Sequence, residues 1–354
     1  MIKKTIKVIL GIIVTLGLLF GLYLLVLTVT DLNHEPIEVL TIEQKNTLQV
    51  DEAAAFSVTT FNIGYAGLDA KQDFFMDGGT KSRSSSLEQT QRNLEASTAF
   101  LTQTASDFIF LQEVDLKASR SFKINEYEHI KGALPQYEAV FANNYHAQWV
   151  PAPLFNPMGF VDGGMATFSK YTLSSANRHQ FDGSVSWPMK LMELDRCFIE
   201  SEIKLPSGKS LYLINLHLSA YDKGGTLRNK QMQHLMSYMT EKYEAGHYVV
   251  LGGDWNHLLS SVQESDPEFI AKWPEWLVKI PAEFEAGGFK WGVDHEAMTV
   301  RDLNEAYVEG QTFTTIIDGF LVSPNIEILS VATSDLNFQN SDHNPVTLKF
   351  KLMP

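Results

Sequence analysis

The segment Tyr248-Val-Val-Leu-Gly-Gly-Asp-Trp-Asn256 runs from four residues of strand character through two glycines to a carboxylate, an indole and an amide. A short β-branched and aromatic run bounded by glycine marks a strand, and the polar groups stand where that strand stops. The pattern recurs along the chain. Asn62 follows Thr59-Thr-Phe61, Gln112 and Glu113 follow Phe108-Ile-Phe-Leu111, and Asn215 and His217 lie in Ile214-Asn-Leu-His-Leu218. Asp318 follows Thr315-Ile-Ile317, and Ser341-Asp-His-Asn-Pro345 precedes a last run, Val346 to Leu352. Acids, amides and histidines at strand ends are costly to desolvate unless they coordinate or hydrogen-bond something. Together they predict one polar floor.

Outward from these positions, strands are expected at Phe56–Asn62, Phe108–Leu111, Met165–Phe168, Cys197–Ile203, Leu211–Leu216, Tyr248–Leu251, Ile316–Val322 and Val346–Leu352. Helices are expected at Ser86–Thr102 and Thr226–Tyr243, where apolar residues recur at helical spacing. Strands interspersed with fewer helices make a mixed α/β sheet protein. The 354 residues are taken as one large domain behind an N-terminal segment, without an internal repeat. Lys and Arg total 28 against 42 Asp and Glu, a formal net charge of −14, which disfavours a polyanion-binding surface unless metal ions offset the repulsion. Cys197 is the only cysteine, so an intramolecular disulfide and Cys-rich zinc motifs are excluded.

At the N-terminus, Lys3, Lys4 and Lys7 precede 23 apolar or uncharged residues from Val8 to Thr30, and Asp31, Glu35 and Glu38 follow. At about 1.5 Å per residue that run crosses a hydrocarbon core. The charge asymmetry places residues 1–7 in the cytoplasm by the positive-inside rule. The expected organisation is a cytoplasmic N-terminus at 1–7, a transmembrane anchor at 8–30, a linker at 31–55 and a catalytic domain at 56–354 on the extracytoplasmic side of the cell membrane. A cleaved signal peptide is the alternative, but its apolar region is shorter and its small-residue cleavage site is poorly matched before Asp31.

Asn62, Gln112-Glu113, Asn215-x-His217, Gly253-Asp254-x-Asn256, Asp318 and Ser341-Asp342-His343, in that order, resemble the motifs of the endonuclease/exonuclease/phosphatase superfamily. These are magnesium-dependent phosphoesterases that include DNase I, abasic-site endonucleases, neutral sphingomyelinases and inositol-phosphate phosphatases. The resemblance covers Phe56 to the C-terminus. It implies a four-layered α/β sandwich, two mixed β-sheets flanked by helices, with the site at one end. It further implies that Asn62, Glu113 and Asp342 lie on the metal side, the metal being Mg²⁺ or Mn²⁺. A carboxylate such as Glu113 is the hard oxygen ligand Mg²⁺ prefers. Asp254 would position or deprotonate the attacking water, Asn256 would donate to a phosphoryl oxygen, and His343, oriented by Asp318, would contact the phosphoryl group. His217 would act as donor or general acid, and Asn215 and Arg228 would meet substrate.

Taken singly, each position has a plainer use: a turn at Asp254–Asn256, an Asx cap at Asp342, a solvated strand-end charge at Glu113, a core histidine at His217, a solvated helix start at Lys223 and Arg228. Their joint order carries the functional reading. His34, His129, His146, His179, His234, His247, His257 and His295 are assigned to structure or surface. Phe74–Gly79 could overhang the site. Trp149–Phe160 and Trp273–Trp291, rich in aromatics and proline, could face substrate or membrane or simply pack as loops.

The expected activity is hydrolysis of a phosphodiester or phosphomonoester by in-line attack of an activated water, with a lipid head group or small organophosphate favoured as substrate. An extracellular DNase-type endonuclease and a catalytically inactive binding module of the same fold are the alternatives. Expected partners are the phosphate-ester substrate and the membrane, with no obligate protein partner.

Overall fold

Strands whose apolar residues do not alternate, such as Phe108-Ile-Phe-Leu111, must be covered on both faces, and the architecture provides that cover. The computed structural model describes residues 2–183, 185–259, 267–281, 284 and 288–354. In chain order its elements begin with α1 (Ile2–Thr30), β1 (Ile37–Val39), β2 (Ala55–Asn62), α2 (Leu87–Thr104), β3 (Phe108–Asp115), α3 (Glu126–Ala133), β4 (Glu138–Val150) and β5 (Gly159–Ser169). They continue with β6 (Ser175–Gln180), β7 (Cys197–Lys204), β8 (Ser210–His217), α4 (Thr226–Glu244), β9 (Tyr248–Asp254), β10 (His257–Leu258), α5 (Pro267–Ala271) and β11 (Val278–Lys279). The last are β12 (Lys290–Gly292), β13 (Val300–Arg301), β14 (Thr314–Thr315), β15 (Asp318–Val322), β16 (Ile326–Thr333) and β17 (Val346–Leu352).

Two mixed sheets, ordered β1-β6-β7-β8-β9-β15-β12 and β16-β17-β2-β3-β5-β4, lie face to face. Between them Phe56, Val58 and Phe110 pack with Leu211, Leu213, Val250 and Phe320. On the outer face of one sheet, α2 and α3 place Leu94, Leu101 and Ile130 over Ile109, Leu111 and Phe168. On the other, α4 places Met232, Leu235 and Met239 over Ile214, Leu216 and Val249. This is the four-layered sandwich that the resemblance implied. In β9, a Cβ on Gly252 would lie 2.4 Å from the Phe320 ring and one on Gly253 2.0 Å from the Leu216 carbonyl oxygen. Only glycine lets the strand sit this close to its neighbours as it delivers Asp254.

Residues 31–55 depart from the expected linker. β1 pairs antiparallel with β6, Leu40 and Ile42 pack on the inter-sheet core, and Val50 is buried. Glu43 bridges to Ala139 and accepts from Tyr127 Oη at 2.9 Å and Lys131 Nζ at 2.6 Å. An acidic segment without a clear period therefore closes a sheet edge, which uses backbone groups rather than a hydrophobic pattern.

α1 is continuous and solvent-exposed over most of its length, and of its described residues only Leu27 is buried. It is the one described helix long and apolar enough to cross a membrane. Its last two turns touch the domain. Tyr23 Oη donates to the Trp149 carbonyl at 2.9 Å, Trp187 Nε1 donates to Thr28 Oγ1 at 3.3 Å, and Asp31 pairs with Lys190 at 3.6 Å.

The edge role of residues 31–50 is testable by truncation. A chain starting at Asp31 should melt about 5 °C or more above one starting at Asp51, since losing the packing of Leu40 and Ile42 costs about 2 kcal/mol or more. Equal melting temperatures would show that the segment adds nothing to the fold.

Candidate active site

Strand direction gathers the polar floor. β2 runs parallel to β3, and β8 parallel to β9, with Asn62 opposite Gln112 and His217 opposite Asp254. β15 and β17 run antiparallel to their neighbours β9 and β2, so they begin where those end. Asp318 thus pairs with Asp254, and Asp342 and His343 lie just before β17, where His343 bridges to Val300. The two sheets meet at this end through Asn62, whose Nδ2 lies 3.1 Å from Asp254 Oδ2, 3.3 Å from Glu113 Oε1 and 3.4 Å from His343 Nε2.

Each side chain is held by its local backbone. The β3–β5 ladder slips between Leu111 and Val114, a bulge in which Glu113 takes φ +54°. A bulge re-aims a side chain, and here it turns Glu113 into the cavity. Asn256 also has positive φ, which Asn tolerates better than most residues; its backbone N–H caps Asp254 Oδ1 at 2.9 Å and its side-chain amide donates to the Leu218 carbonyl at 2.9 Å. Among the described residues the side-chain amide of Asn256 makes this one donation, and its second hydrogen is open to a ligand. Ser341 Oγ donates to the Asn62 carbonyl at 2.8 Å and accepts from the His343 N–H at 3.2 Å, locking the Ser341–His343 turn onto β2.

His343 Nδ1 and Asp318 Oδ2 are 2.8 Å apart, and the opposite ring nitrogen of His343 points to Asp254 Oδ2 at 3.7 Å and Asp342 Oδ2 at 3.9 Å. Burial opposes charge on this imidazole, but Asp318, Asp342 and Asp254 outweigh it and push its pKa up to about 10. His217, whose Nε2 is 3.4 Å from Asp254 Oδ2, goes the other way: burial, Arg196 and His343 hold it well below the usual histidine range. The floor therefore holds one imidazolium and one neutral imidazole. Burial also raises Asp254 and Asp342 above the usual carboxylate range, Asp318 adding to the first shift and Glu113 to the second.

That crowding of carboxylates fits a bound cation. Glu113 and Asp342 face one cavity and resist each other's charge, and both offer hard oxygens, the donor set of Mg²⁺ or Mn²⁺. Asp254, Asp318 and His343 also bring possible ligand atoms within 4.8 Å of one another. In that second cluster His343 Nδ1 is already spent on Asp318, so Glu113 and Asp342 are the better candidates.

The floor opens into a cavity of about 520 Å³ lined by Glu113, His217, Asp254, Asn256, Asp342 and His343. Phe74–Asp77 line it too, so the overhanging loop is in place. Two expected substrate contacts are corrected. Asn215 is buried between the sheets, where its amide donates to the carbonyls of Leu111 and Ala166 and accepts from Gln112 Nε2 at 2.7 Å. Arg228 is fully buried and holds Asp222 and the carbonyls of Asn256 and Trp276 at 2.7 Å each. Neither lines the cavity; both brace it. The side chain of Lys223 lies outside the described residues. Of Trp273–Trp291, Trp276 lines the cavity and Phe284 and Trp291 pack against Trp255, while 282–283 and 285–287 lie outside the described residues.

Arg196 is the residue that sequence reasoning missed. It lines the cavity, its charge is offset by Glu113 and Asp254, and its buried Nη1 has no hydrogen-bond partner among the described residues. The only sequence signal is a lone cation at the start of β7. Arg120 also lines the cavity, but its guanidinium is spent on Asp115, at 3.0 and 3.1 Å.

Comparison with known proteins agrees with this fold. The sequence pattern of the Endonuclease/Exonuclease/phosphatase family matches residues 59–343. No curated protein matches the chain in sequence. Among solved structures, the endonuclease/exonuclease/phosphatase from Beutenbergia cavernae is 16% identical with a TM-score of 0.57, over 84% of this chain and 72% of that one. ANGEL2, a 2',3'-cyclic phosphatase in complex with adenosine-2',3'-vanadate, is 14% identical with a TM-score of 0.53, over 92% and 100%. D. rerio TDP2 complexed with single-strand DNA product is 14% identical with a TM-score of 0.50, over 84% and 99%. At these identities the structures speak for the fold, and the family match spans most of the chain. The chain belongs to the endonuclease/exonuclease/phosphatase family.

Proposed function

We propose that the chain is a metal-dependent phosphoesterase that hydrolyses a lipid head group or small organophosphate by in-line attack of water, at the extracytoplasmic face of the membrane in which α1 is anchored. The observation that carries the reading is the meeting of Asn62, Asp254, His217 and the Asp318–His343 pair at the floor of one cavity. Glu113 and Asp342, with Asn62 beside them, would hold the metal. When bound, it would neutralise phosphate charge and stabilise the charge that develops in the transition state.

The chain's own residues supply the rest. Asp254, lifted by burial toward neutral pH and fixed by the Asn62 amide and the Asn256 N–H, orients the water and accepts its proton. The His343 imidazolium, with Asp318 fixing which nitrogen faces the cavity, donates to a phosphoryl oxygen. The Arg196 guanidinium and the second amide hydrogen of Asn256 donate to others. Neutral His217 stands beside Asp254 as the second imidazole and helps hold that carboxylate in place, and the leaving oxygen takes its proton from solvent. A DNase-type activity is less well supported, because of the described cations that line the cavity Arg120 and Arg301 are spent on Asp115 and on backbone carbonyls and Lys190 is paired with Asp31, which leaves Arg196 to meet a polyanion.

Three outcomes follow from these roles. Glu113→Gln keeps the shape but removes an anionic ligand, so hydrolysis of a chromogenic phosphodiester in Mg²⁺ should fall about 10²-fold or more with an unchanged melting temperature; full activity of the parent chain in EDTA would dismiss the metal mechanism. His343→Ala should lose about 10² to 10⁴-fold in kcat, and Asp318→Asn/His343→Ala should be little worse, because residues acting as a unit are not additive; multiplied losses would separate their roles. Arg196→Gln should lower kcat/KM about tenfold or more without loss of stability. An unaltered kcat/KM would remove Arg196 from the site.

A further inference from the structure

We propose that the leaflet holding α1 packs directly on the rim of the catalytic cavity, so that the substrate is a zwitterionic phospholipid taken from that leaflet. This rests on the phosphoesterase reading and on α1 spanning the membrane. Helical rise puts Tyr23 about 10 Å below Thr30 along the axis. A Val8–Thr30 span of about 34 Å is slightly longer than a hydrocarbon core of about 30 Å, so Thr28 lies near the head-group boundary and Tyr23 about 8 Å inside the acyl region. Two loops of the domain are pinned at these depths, one through Trp149 on Tyr23 and one through Trp187 on Thr28, with Lys190 on Asp31 just above. Hydrogen bonds and an ion pair, rather than a free tether, thus set the height of the domain.

The outward side chains of these loops suit such a depth. At the β4–β5 hairpin tip Leu154 is 79% exposed and Phe155 97%, and Trp149, Trp187 and Met189 are about half exposed. Exposed apolar residues clustered beside a membrane helix cost hydration that a leaflet removes, and tryptophan favours that boundary. The inward side chains of the same loops, Val150, Pro151, Met158 and Met192, wall the catalytic cavity. Lys190, Glu193 and Asp195 of the same segment line it as well, so the loops pair apolar walls suited to acyl chains with charged groups of both signs suited to a zwitterionic head group, beside the polar floor. A net charge of −14 opposes an anionic leaflet and selects a zwitterionic one.

The full-length chain reconstituted in phosphatidylcholine vesicles tests this. Cys197 is the sole cysteine and is buried, so Phe155→Cys can be labelled selectively with an environment-sensitive fluorophore. Leu329→Cys, on β16 at the sheet edge opposite β4, serves as the control. Nitroxide lipids should quench the label at 155 several-fold more than the label at 329; equal quenching would overturn the docking whatever the enzyme does. Leu154→Asp/Phe155→Asp, at two solvent-exposed positions, should cut hydrolysis of vesicle phosphatidylcholine about tenfold and leave a soluble chromogenic diester untouched. Unchanged lipid hydrolysis in that variant would overturn the leaflet as the source of substrate. Quenching at 155 in a chain that hydrolyses neither substrate would support the docking and count against the phosphoesterase reading alone.

Discussion

The hydrogen bond from the Asn62 amide to the Asp254 carboxylate joins the ends of two different sheets, and the site depends on that junction. Deeper in, apolar packing, which is non-directional and tolerates sliding, is joined by the Asn215 amide on the Leu111 and Ala166 carbonyls and on Gln112. At this end a directional contact sets their relative position. It can form only because Gly252 and Gly253 allow β9 to lie close against β8 and Phe320, and because the Ser341–His343 turn is fastened to the Asn62 carbonyl. A shift of one residue in either central strand would carry its polar terminus to the other face.

Charge is the second constraint. Four carboxylates, Glu113, Asp254, Asp318 and Asp342, converge at the floor, and burial penalises the ionisation of Asp254 and Asp342. The imidazolium of His343 and the guanidinium of Arg196 offset part of that charge, and a divalent cation on the hard oxygens would offset more. The same field separates the two histidines: three carboxylates hold a proton on His343, whereas His217 is kept neutral by burial and by the cations around it. Divergent protonation of two like groups at one site is what acid–base work requires.

Much of this was legible in the sequence because strand ends and function coincide. Glu113, His217, Asp254, Asp318 and His343 stand out as polar interruptions of apolar runs, and each lies at the shared floor. What escaped lacks such a contrast. Asn215 is two residues before His217 on the same strand face, so it looks equivalent, yet those two residues carry it about 6 to 7 Å deeper, in between the sheets. Arg196 has no neighbours that mark it. β4 and β6 carry Asn143, His146, Asn177 and Arg178, and their strand character comes from pairing within a sheet rather than from apolar pattern. The segment 31–55 was hidden for the same reason, because an edge strand needs backbone partners more than side-chain periodicity. The contact of α1 with Trp149 and Trp187 joins positions more than a hundred residues apart, which no local pattern reveals.

We propose that Glu113 and Asp342, at the meeting of the two sheets, hold the catalytic cation, while Asp254, Asp318 and His343 do proton and phosphoryl chemistry beside it. A crystal of the wild-type domain soaked in Mn²⁺ tests this most directly, by anomalous difference density. The principal peak is expected within coordination distance of the Glu113 and Asp342 carboxylates. A principal peak ligated instead by Asp254, Asp318 and His343 would contradict it.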